Sequence, residues 1–333
     1  MHDRARRSTE AGPPGLRRWQ RTLSAGLGLL LVVVLAAACQ SARPVPRLVL
    51  EHDALLFHDA FDRPAPASSL TPAFRLGGTA PPGRASVGLS ADGLHVGVGP
   101  HGPGTWLGYF AATSATFPAE AVIHVRMSRP SNDISQSSRS GISLLAVQTG
   151  ASRLLDYVLV SSVTSDGQDT WFAGHATGGT AYATTKMLAS IASGATTEDV
   201  TLQTDGRSRY AVYLGDRLVY SSATLDLGVQ PPFRVYLEVQ ARGTAYQARF
   251  QDFWVAGGTS VGVEGLRTGD HVALAPDGHP AVSAIVGADG TARLELPPYE
   301  AVGRGTLTVD GPGTRLRFPG FAFAGGDLFA VRD

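Results

Sequence analysis

The chain has 333 residues, with 28 basic and 28 acidic side chains that cancel to a formal charge of zero. Residues 1–39 hold six arginines against Asp3 and Glu10, so the remaining chain carries 22 basic and 26 acidic residues. That balance excludes the clustered basic surface a nucleic-acid binder presents. With 40 glycines, 21 prolines, many Val, Thr, Ser and Tyr, and no window that sustains helical periodicity over three turns, the composition predicts short strands joined by tight turns. Lys186 is the sole lysine, and Cys39 the sole cysteine.

The first predicted element lies at the N-terminus. Arg17, Arg18 and Arg21 precede an unbroken apolar run from Leu29 to Ala38, which ends on Cys39 and is followed by Gln40 to Arg47, a segment containing Pro and Ser. A basic flank, a short apolar stretch and small residues before a cut are the parts of a secretory signal. From Thr22 to Ala38 there are 17 residues, short of the ~20 that a spanning helix needs, although an uncleaved signal-anchor remains the alternative. The pair Arg17-Arg18 is followed by Trp-Gln-Arg-Thr, which fits a twin-arginine signal poorly. Ending on Cys39, the segment resembles the lipobox of bacterial lipoproteins, with Ala36 where that family usually has Leu, and Leu35 one place earlier. The resemblance implies cleavage before Cys39, diacylation of its thiol, and an extracytoplasmic protein anchored to the bacterial cell membrane by lipid. No thiol would then remain for a disulfide, a thiolate metal site or a Cys nucleophile, and the core alone must hold the fold.

Downstream, alternation with period two marks half-buried strands. In Ala121–Met127 the residues Ala121, Ile123, Val125 and Met127 point one way, and Val122, His124 and Arg126 the other. Thr185–Ile191 reads as a single short helix. Asp199–Tyr220 reads as three strands in a meander, with turns at Asp205-Gly206 and Gly215-Asp216, which supply the positive φ of tight hairpins. In Phe233–Ala241, Val235, Leu237 and Val239 alternate with Tyr236, Glu238 and Gln240. Phe250–Val255 closes the unit, and Trp254 reads as core. The opening Leu56-Phe-His-Asp-Ala-Phe-Asp-Arg63, the hairpins between Val200 and Tyr220, and the closing Phe250-x-Asp-Phe-Trp-Val255 together resemble concanavalin A-like (laminin-G-like) β-sandwiches. Across roughly residues 50–257, that resemblance implies a jelly-roll sandwich whose last strand returns beside its first.

After Val255 comes a small polar linker, Ala256-Gly-Gly-Thr-Ser260. Six further strands are predicted: Val261–Val263, His271–Ala275, Ala281–Val286, Ala292–Leu296, Gly305–Val309 and Arg315–Phe318. Turns are signalled at Asp277-Gly278, Asp289-Gly290 and Asp310-Gly311. Such spacing suggests a small Greek-key sandwich, and Val263–Leu274 resembles immunoglobulin- or transthyretin-like accessory domains. The expected organisation is a signal peptide over residues 1–39, a tether over 40–49, a concanavalin A-like sandwich over 50–257 and a small β domain over 258–333, all-β throughout.

Candidate chemistry is sparse. A glycoside hydrolase needs two carboxylates flanking the scissile bond. The Glu-x-Asp-x-x-Glu strand motif of laminarinase-type sandwiches does not occur, nor does a Gly-x-Ser-x-Gly elbow. Glu238 lies mid-strand on the polar face beside Tyr236 and Gln240, and Asp156, Asp252, His124 and Arg126 are candidates for the same sheet. The plainer reading is a solvated face holding a cross-strand ion pair. The histidines never pair at metal-ligand spacing, so zinc is not expected. Calcium is the one ion for which oxygen ligands suggest themselves, in the loops Ser131-Asn132-Asp133 and Ser165–Asp169, where turn chemistry is the simpler explanation. No cofactor is expected. Trp171, just past the Asp166-Gly167 turn, is the aromatic singled out as a stacking platform, with Trp106, Tyr109 and Phe110 after a Gly/Pro loop as further candidates.

The expected function is a lipid-anchored, non-catalytic binding protein that engages a glycan or cell-surface polymer through Trp171, Tyr236, Glu238, Gln240, His124 and Arg126. The alternatives are a hydrolase resembling 3-keto-disaccharide hydrolase-like sandwiches, with Glu238 and a neighbouring Asp as its pair, and a structural spacer of the envelope.

Overall fold

The computed structural model describes residues 45–118, 120–129, 139–148, 157–165, 168–176, 186–192, 195–205, 209–222 and 232–333. Cys39, Asp156 and the Ser131–Asp133 loop lie outside them. Arg47–Arg332 form one compact unit, built among the described residues from 23 strands. The first seven are β1 (Arg47–His52), β2 (Leu55–Asp59), β3 (Phe74–Gly78), β4 (Ala85–Ser90), β5 (Gly93–Val98), β6 (Trp106–Thr113) and β7 (Ala121–Ser128). Then come β8 (Arg139–Gln148), β9 (Tyr157–Ser165), β10 (Gln168–Ala176), β11 (Lys186–Ala192), β12 (Thr197–Thr204), β13 (Tyr210–Leu214) and β14 (Arg217–Ser222). The long pair β15 (Phe233–Arg242) and β16 (Tyr246–Ala256) is followed by β17 (Ser260–Glu264), β18 (His271–Pro276), β19 (Val282–Ile285), β20 (Ala292–Glu295), β21 (Val302–Gly311), β22 (Thr314–Ala324) and β23 (Leu328–Arg332).

Two large sheets carry most of the chain. One has the order β14-β13-β12-β7-β16-β5-β4, with β2 also paired to β16; the other runs β11-β10-β9-β8-β15-β6-β3. The chain passes repeatedly from one sheet to the other, as in β5 to β6 to β7 and β14 to β15 to β16, which is the wrapping of a jelly roll. Opening and closing strands meet, with Phe253 opposite Asp59 and Val255 opposite Phe57. The fold is therefore all-β, a concanavalin A-like jelly-roll sandwich followed by a smaller two-sheet unit. The inner faces are the apolar parity of each strand: Ile123 and Val125 of β7, Val200 and Leu202 of β12, and Val235, Leu237 and Val239 of β15 are fully buried in one cluster. Each such side chain stabilises the fold by about 1.5–3 kcal/mol relative to exposure. Hairpin chemistry acts where the sequence places it at Gly215, whose φ of 59° lets Leu214 pair with Arg217.

The smaller unit also has two sheets, β1-β23-β17-β20 and β19-β18-β21-β22, closed around Val261, Val263, Leu294 and Phe329 from one and Val272, Leu274, Leu307 and Val309 from the other. Its edge strand β1 comes from the N-terminal side, pairing Arg47 with Arg332 and Val49 with Ala330. Residues expected to be tether thus complete the sheet of the C-terminal unit. The expected linker is a packed joint: Ala256 and Gly258 are buried, Gly257 N–H donates to Ala54 O (2.9 Å), and Gly326 N–H donates to Ser260 O (2.7 Å). The Asp327 carboxylate binds the joint from the far side, accepting Ala54 N–H at 2.7 Å and Ala324 N–H at 2.6 Å.

Three expectations change. The short helix over Thr185–Ile191 is the edge strand β11, because pairing with β10 outweighs the helix propensity of Met, Leu and Ala. The turn placed at Asp310-Gly311 falls two residues later, since Gly311 still pairs with Thr314 and Gly313 takes the positive φ of 78°. Trp254 is buried, but outside the sandwich core. A bulge at Asp252 (φ 47°) shifts the parity of β16, so Phe253 enters the core while Trp254 turns to the outer face. There it packs with Val122 and Ala256 against Ala301 and Ala324 of the smaller unit.

Candidate functional site

The outer face of the seven-stranded sheet centres on β15. Inward residues alternate with Arg234, Tyr236, Glu238, Gln240 and Arg242, and these oppose Ala112, Phe110, Gly108 and Trp106 of β6 in register from Tyr236 onward. Arg75 and Gly77 of β3 extend the same rows beyond Ala112 and Phe110. The Phe110 ring leans over Gly77, where an added Cβ would come within 3.0 Å of it, and meets the Tyr236 ring edge-on at 4.8 Å. Gly108 makes similar room for Glu238 and Gln240, since a Cβ there would lie 3.4 Å from Glu238 Oε1 and 3.3 Å from Gln240 Cγ. Trp106, opposite Arg242, exposes 46% of its surface at the end of this strip.

Glu238 is the unusual residue of the face. Although it stands on the outward parity, it is only 4% exposed. Gln240 Nε2 donates to its Oε1 at 3.2 Å. Burial pushes its carboxyl up to about 8, only partly offset by that hydrogen bond, so it is largely protonated at neutral pH. Burial likewise raises the Tyr236 hydroxyl, with Arg234 and Arg75 pulling the other way. Chemically, the strip offers aromatic edges, an amide, a neutral carboxylic acid and three guanidinium groups.

The six candidate residues do not form one site. Tyr236, Glu238 and Gln240 stand together as expected. Trp171 belongs to the inward parity of β10, is 0% exposed and packs in the sandwich core, so it offers no stacking platform. The tryptophan available to solvent is Trp106. His124 and Arg126 are on β7, in the other sheet, and face outward on the opposite side of the sandwich. Arg126 makes a two-pronged ion pair with Asp199 across the strand (2.7 and 3.0 Å), the cross-strand pair of the plainer reading. His124 stacks on Trp254 at 4.9 Å and bonds Thr201 Oγ1 through Nδ1 at 2.9 Å. Burial lowers its proton affinity, against the pull of Asp252 and Asp199. Asp252 is on this sheet too, 3.7 Å from His58.

Parity could have found Arg234 and Arg242, since they alternate in step with Glu238. Arg75 could not be assigned to the same face before the β3–β6 register was known. Elsewhere, Ser90, Asp92 and His95 gather at the β4–β5 hairpin, but Ser90 Oγ and Asp92 both approach the same ring nitrogen of His95, Nε2. A relay needs the carboxylate on the other nitrogen, so this is a turn network, braced by Arg249 on Asp92 at 2.8 Å. Among the described residues no group of three or more His, Cys, Asp or Glu side chains could hold a metal ion.

No protein-family model matches the chain, and no curated protein matches it. Solved structures do. The chain is similar to a Bacillus subtilis protein of unknown function with a galectin-like fold, at 12% identity and a TM-score of 0.40, over 63% of this chain and 98% of that one. It is similar to the laminarinase from Rhodothermus marinus at 13% identity and a TM-score of 0.43, over 63% and 98% of the two chains. It is also similar to β-agarase A from Zobellia galactanivorans at 9% identity and a TM-score of 0.44, over 66% and 99%. Likeness at this level carries no chemistry across, and the fold stands on the strand order above.

Proposed function

We propose that the chain is a lipid-anchored extracytoplasmic binding protein that engages a glycan or cell-surface polymer on the outer face of the seven-stranded sheet. One observation carries the reading. The positions on β6, β8, β9 and β10 in register with the outward residues of β15 hold no Asp or Glu, so Glu238 has no acidic neighbour in those rows. Register neighbours on adjacent strands stand about 4.5–5.5 Å apart, diagonal ones about 7–8 Å, and positions two strands away about 9.5 Å, which spans the carboxyl separations of about 5–9.5 Å that glycosidases use. Strand rows without a second acid among the described residues, but with Trp106, Phe110, Tyr236 and Gln240 along them, suit retention better than hydrolysis.

Cys39 and the apolar run before it support anchoring to the membrane. The division near residue 257, with an immunoglobulin- or transthyretin-like accessory unit after it, belongs to the same proposal: the large sandwich recognises, and the small unit covers its other sheet. A second reading has one observation in its favour. A buried carboxylic acid that holds its proton to about pH 8 is suited to general-acid catalysis, so Glu238 would be the acid of a hydrolase.

The deciding experiment incubates the chain from Gln40 onward, which contains the whole compact unit, with a panel of polysaccharides and reads both retention and released sugar. Retention without release, weakened about tenfold by Tyr236→Ala or Phe110→Ala, is expected for one aromatic contact of this kind. Release of sugar that Glu238→Gln abolishes would put the hydrolase first. For anchoring, Cys39→Ser in the full chain should move the protein from the detergent phase to the aqueous phase; a variant that stays in the detergent phase at full length would show a spanning anchor.

A further inference from the structure

The charge on the candidate face has one sign. Arg75, Arg234 and Arg242 lie in its outward rows, and none makes an ion pair among the described residues. The one carboxyl in their midst, Glu238, is buried and hydrogen-bonded to Gln240. The Nε–H groups of Arg234 and Arg242 are shielded from solvent and have no acceptor among the described residues. A buried donor without an acceptor is unfavourable, a penalty relieved when an anion or water takes the bond. On the opposite face of the sandwich the arrangement differs. There Arg126 and Arg249 pair with Asp199 and Asp92, although the Nε–H of Arg249 is likewise buried without an acceptor among the described residues. The chain beyond Cys39 has more acids than bases, so three arginines without an ion pair among the described residues on one sheet face are not a consequence of average composition.

Their spacing says what kind of anion would match. Arg234 and Arg242 are eight residues apart on one strand, about 26 Å at ~3.3 Å per residue, and Arg75 stands two strands from Tyr236, about 9.5 Å away. Between the two ends lie Tyr236, Phe110 and Gln240, and Trp106 is beside Arg242. A strip this long, with cations at both ends and aromatic edges between, fits an extended chain carrying repeated charges, not a single small anion. Planar guanidinium groups pair with oxyanions through two parallel hydrogen bonds, and aromatic rings pack on the apolar faces of sugars.

We propose that the polymer retained by this face is an anionic polysaccharide, whose carboxylate or sulfate groups pair with Arg75, Arg234 and Arg242. This rests on the binding reading of the same face and narrows its ligand class.

The test measures retention of the chain from Gln40 on immobilised polygalacturonate and dextran sulfate, with laminarin and uncharged dextran as neutral arms and double-stranded DNA as a polyanion without the sugar-chain surface. The expected result is retention on one or both anionic polysaccharides and not on the neutral ones, the winning arm identifying carboxylate or sulfate. Retention should weaken between about 0.1 M and about 1 M salt, as the screening length shrinks from about 10 Å to about 3 Å. Arg234→Gln and Arg75→Gln should each weaken it about tenfold, the size expected for one charge-assisted hydrogen bond, while Arg234→Lys recovers part of the loss. Arg126→Gln, on the other face, should leave it unchanged, with each variant's melting curve confirming that it folds. Retention on laminarin or dextran equal to that on the anionic polymers would overturn the anionic assignment and leave the binding function standing. Equal retention on DNA would overturn it as well, showing attraction to charge alone. Retention on none of the polysaccharides would overturn both.

Discussion

At the scale of single residues, Glu238 and Trp171 are both buried where the sequence suggests exposure. A glutamate mid-strand on a polar face should be ionised and wet; this one is buried and protonated. The unfolded chain ionises it near its ordinary value of 4.5 and the folded chain only near 8, so unfolding releases a proton between those limits. Stability contributed by this group is therefore full below about pH 4.5, falls as pH rises to about 8, and is level above. Urea midpoints measured from about pH 4 to about pH 9 should show this decline in the wild type and a flatter profile in Glu238→Gln. Equal slopes would mean that the carboxyl is solvated after all. Trp171→Ala should cost about 3–5 kcal/mol, the range for deleting a large aromatic side chain from a packed core, and Trp171→Phe much less. A loss under about 1 kcal/mol in the same urea titration would place the indole outside the core.

At the scale of elements, register and parity decide which side chains meet. On β15 the unbroken alternation of Val, Leu and Val with Tyr, Glu and Gln made both faces readable before any partner strand was known. On β16 the bulge at Asp252 breaks the alternation, and nothing local in Phe-Gln-Asp-Phe-Trp says where the skip falls. The same limit separates His124 and Arg126 from Glu238: each strand's polar parity was legible, but which sheet it joined was not. The joint around Asp327 is also an element-scale feature. Its carboxylate satisfies two buried backbone N–H groups 270 residues apart in the chain. Asp327→Ala would leave both donors unmet, with an expected loss of about 2–6 kcal/mol in unfolding free energy, whereas Asp327→Asn, which keeps one acceptor oxygen, should lose less. Denaturation of the two variants side by side checks the order.

At the scale of the whole molecule, the two sandwiches have separate cores yet are bound by both chain ends. Strand β1 runs from the N-terminal side into the C-terminal sheet, and Trp254 of the large sandwich lies beneath Ala301 and Ala324. Tyr213 meets Tyr299 at 5.6 Å in the same contact. Composition alone makes Ala256–Ser260 an open linker and a site for proteases. With its backbone paired on both sides, subtilisin at low dose should leave the peptide bonds of 256–260 intact, as read by mass spectrometry of the fragments. Early cleavage there would show that the joint opens in solution.

What the sequence determined by itself is the set of local properties: an all-β chain, the apolar and polar faces of its unbroken strands, turns such as those at Gly215, Gly278 and Gly290, and an apolar N-terminal run before Cys39. These follow from period-two alternation, glycine's freedom at positive φ and the length of an apolar run, each decided within about ten residues. What only the tertiary structure decided is which faces become neighbours. Strand pairing across up to 285 residues brings Arg75 beside the Tyr236 row, puts Trp171 inside and Trp106 outside, and sends β1 to the far end of the chain. A backbone hydrogen-bond ladder has the same chemistry at every strand, so the choice of partner rests on how all the apolar faces close around common cores, a property of the whole chain and not of any segment.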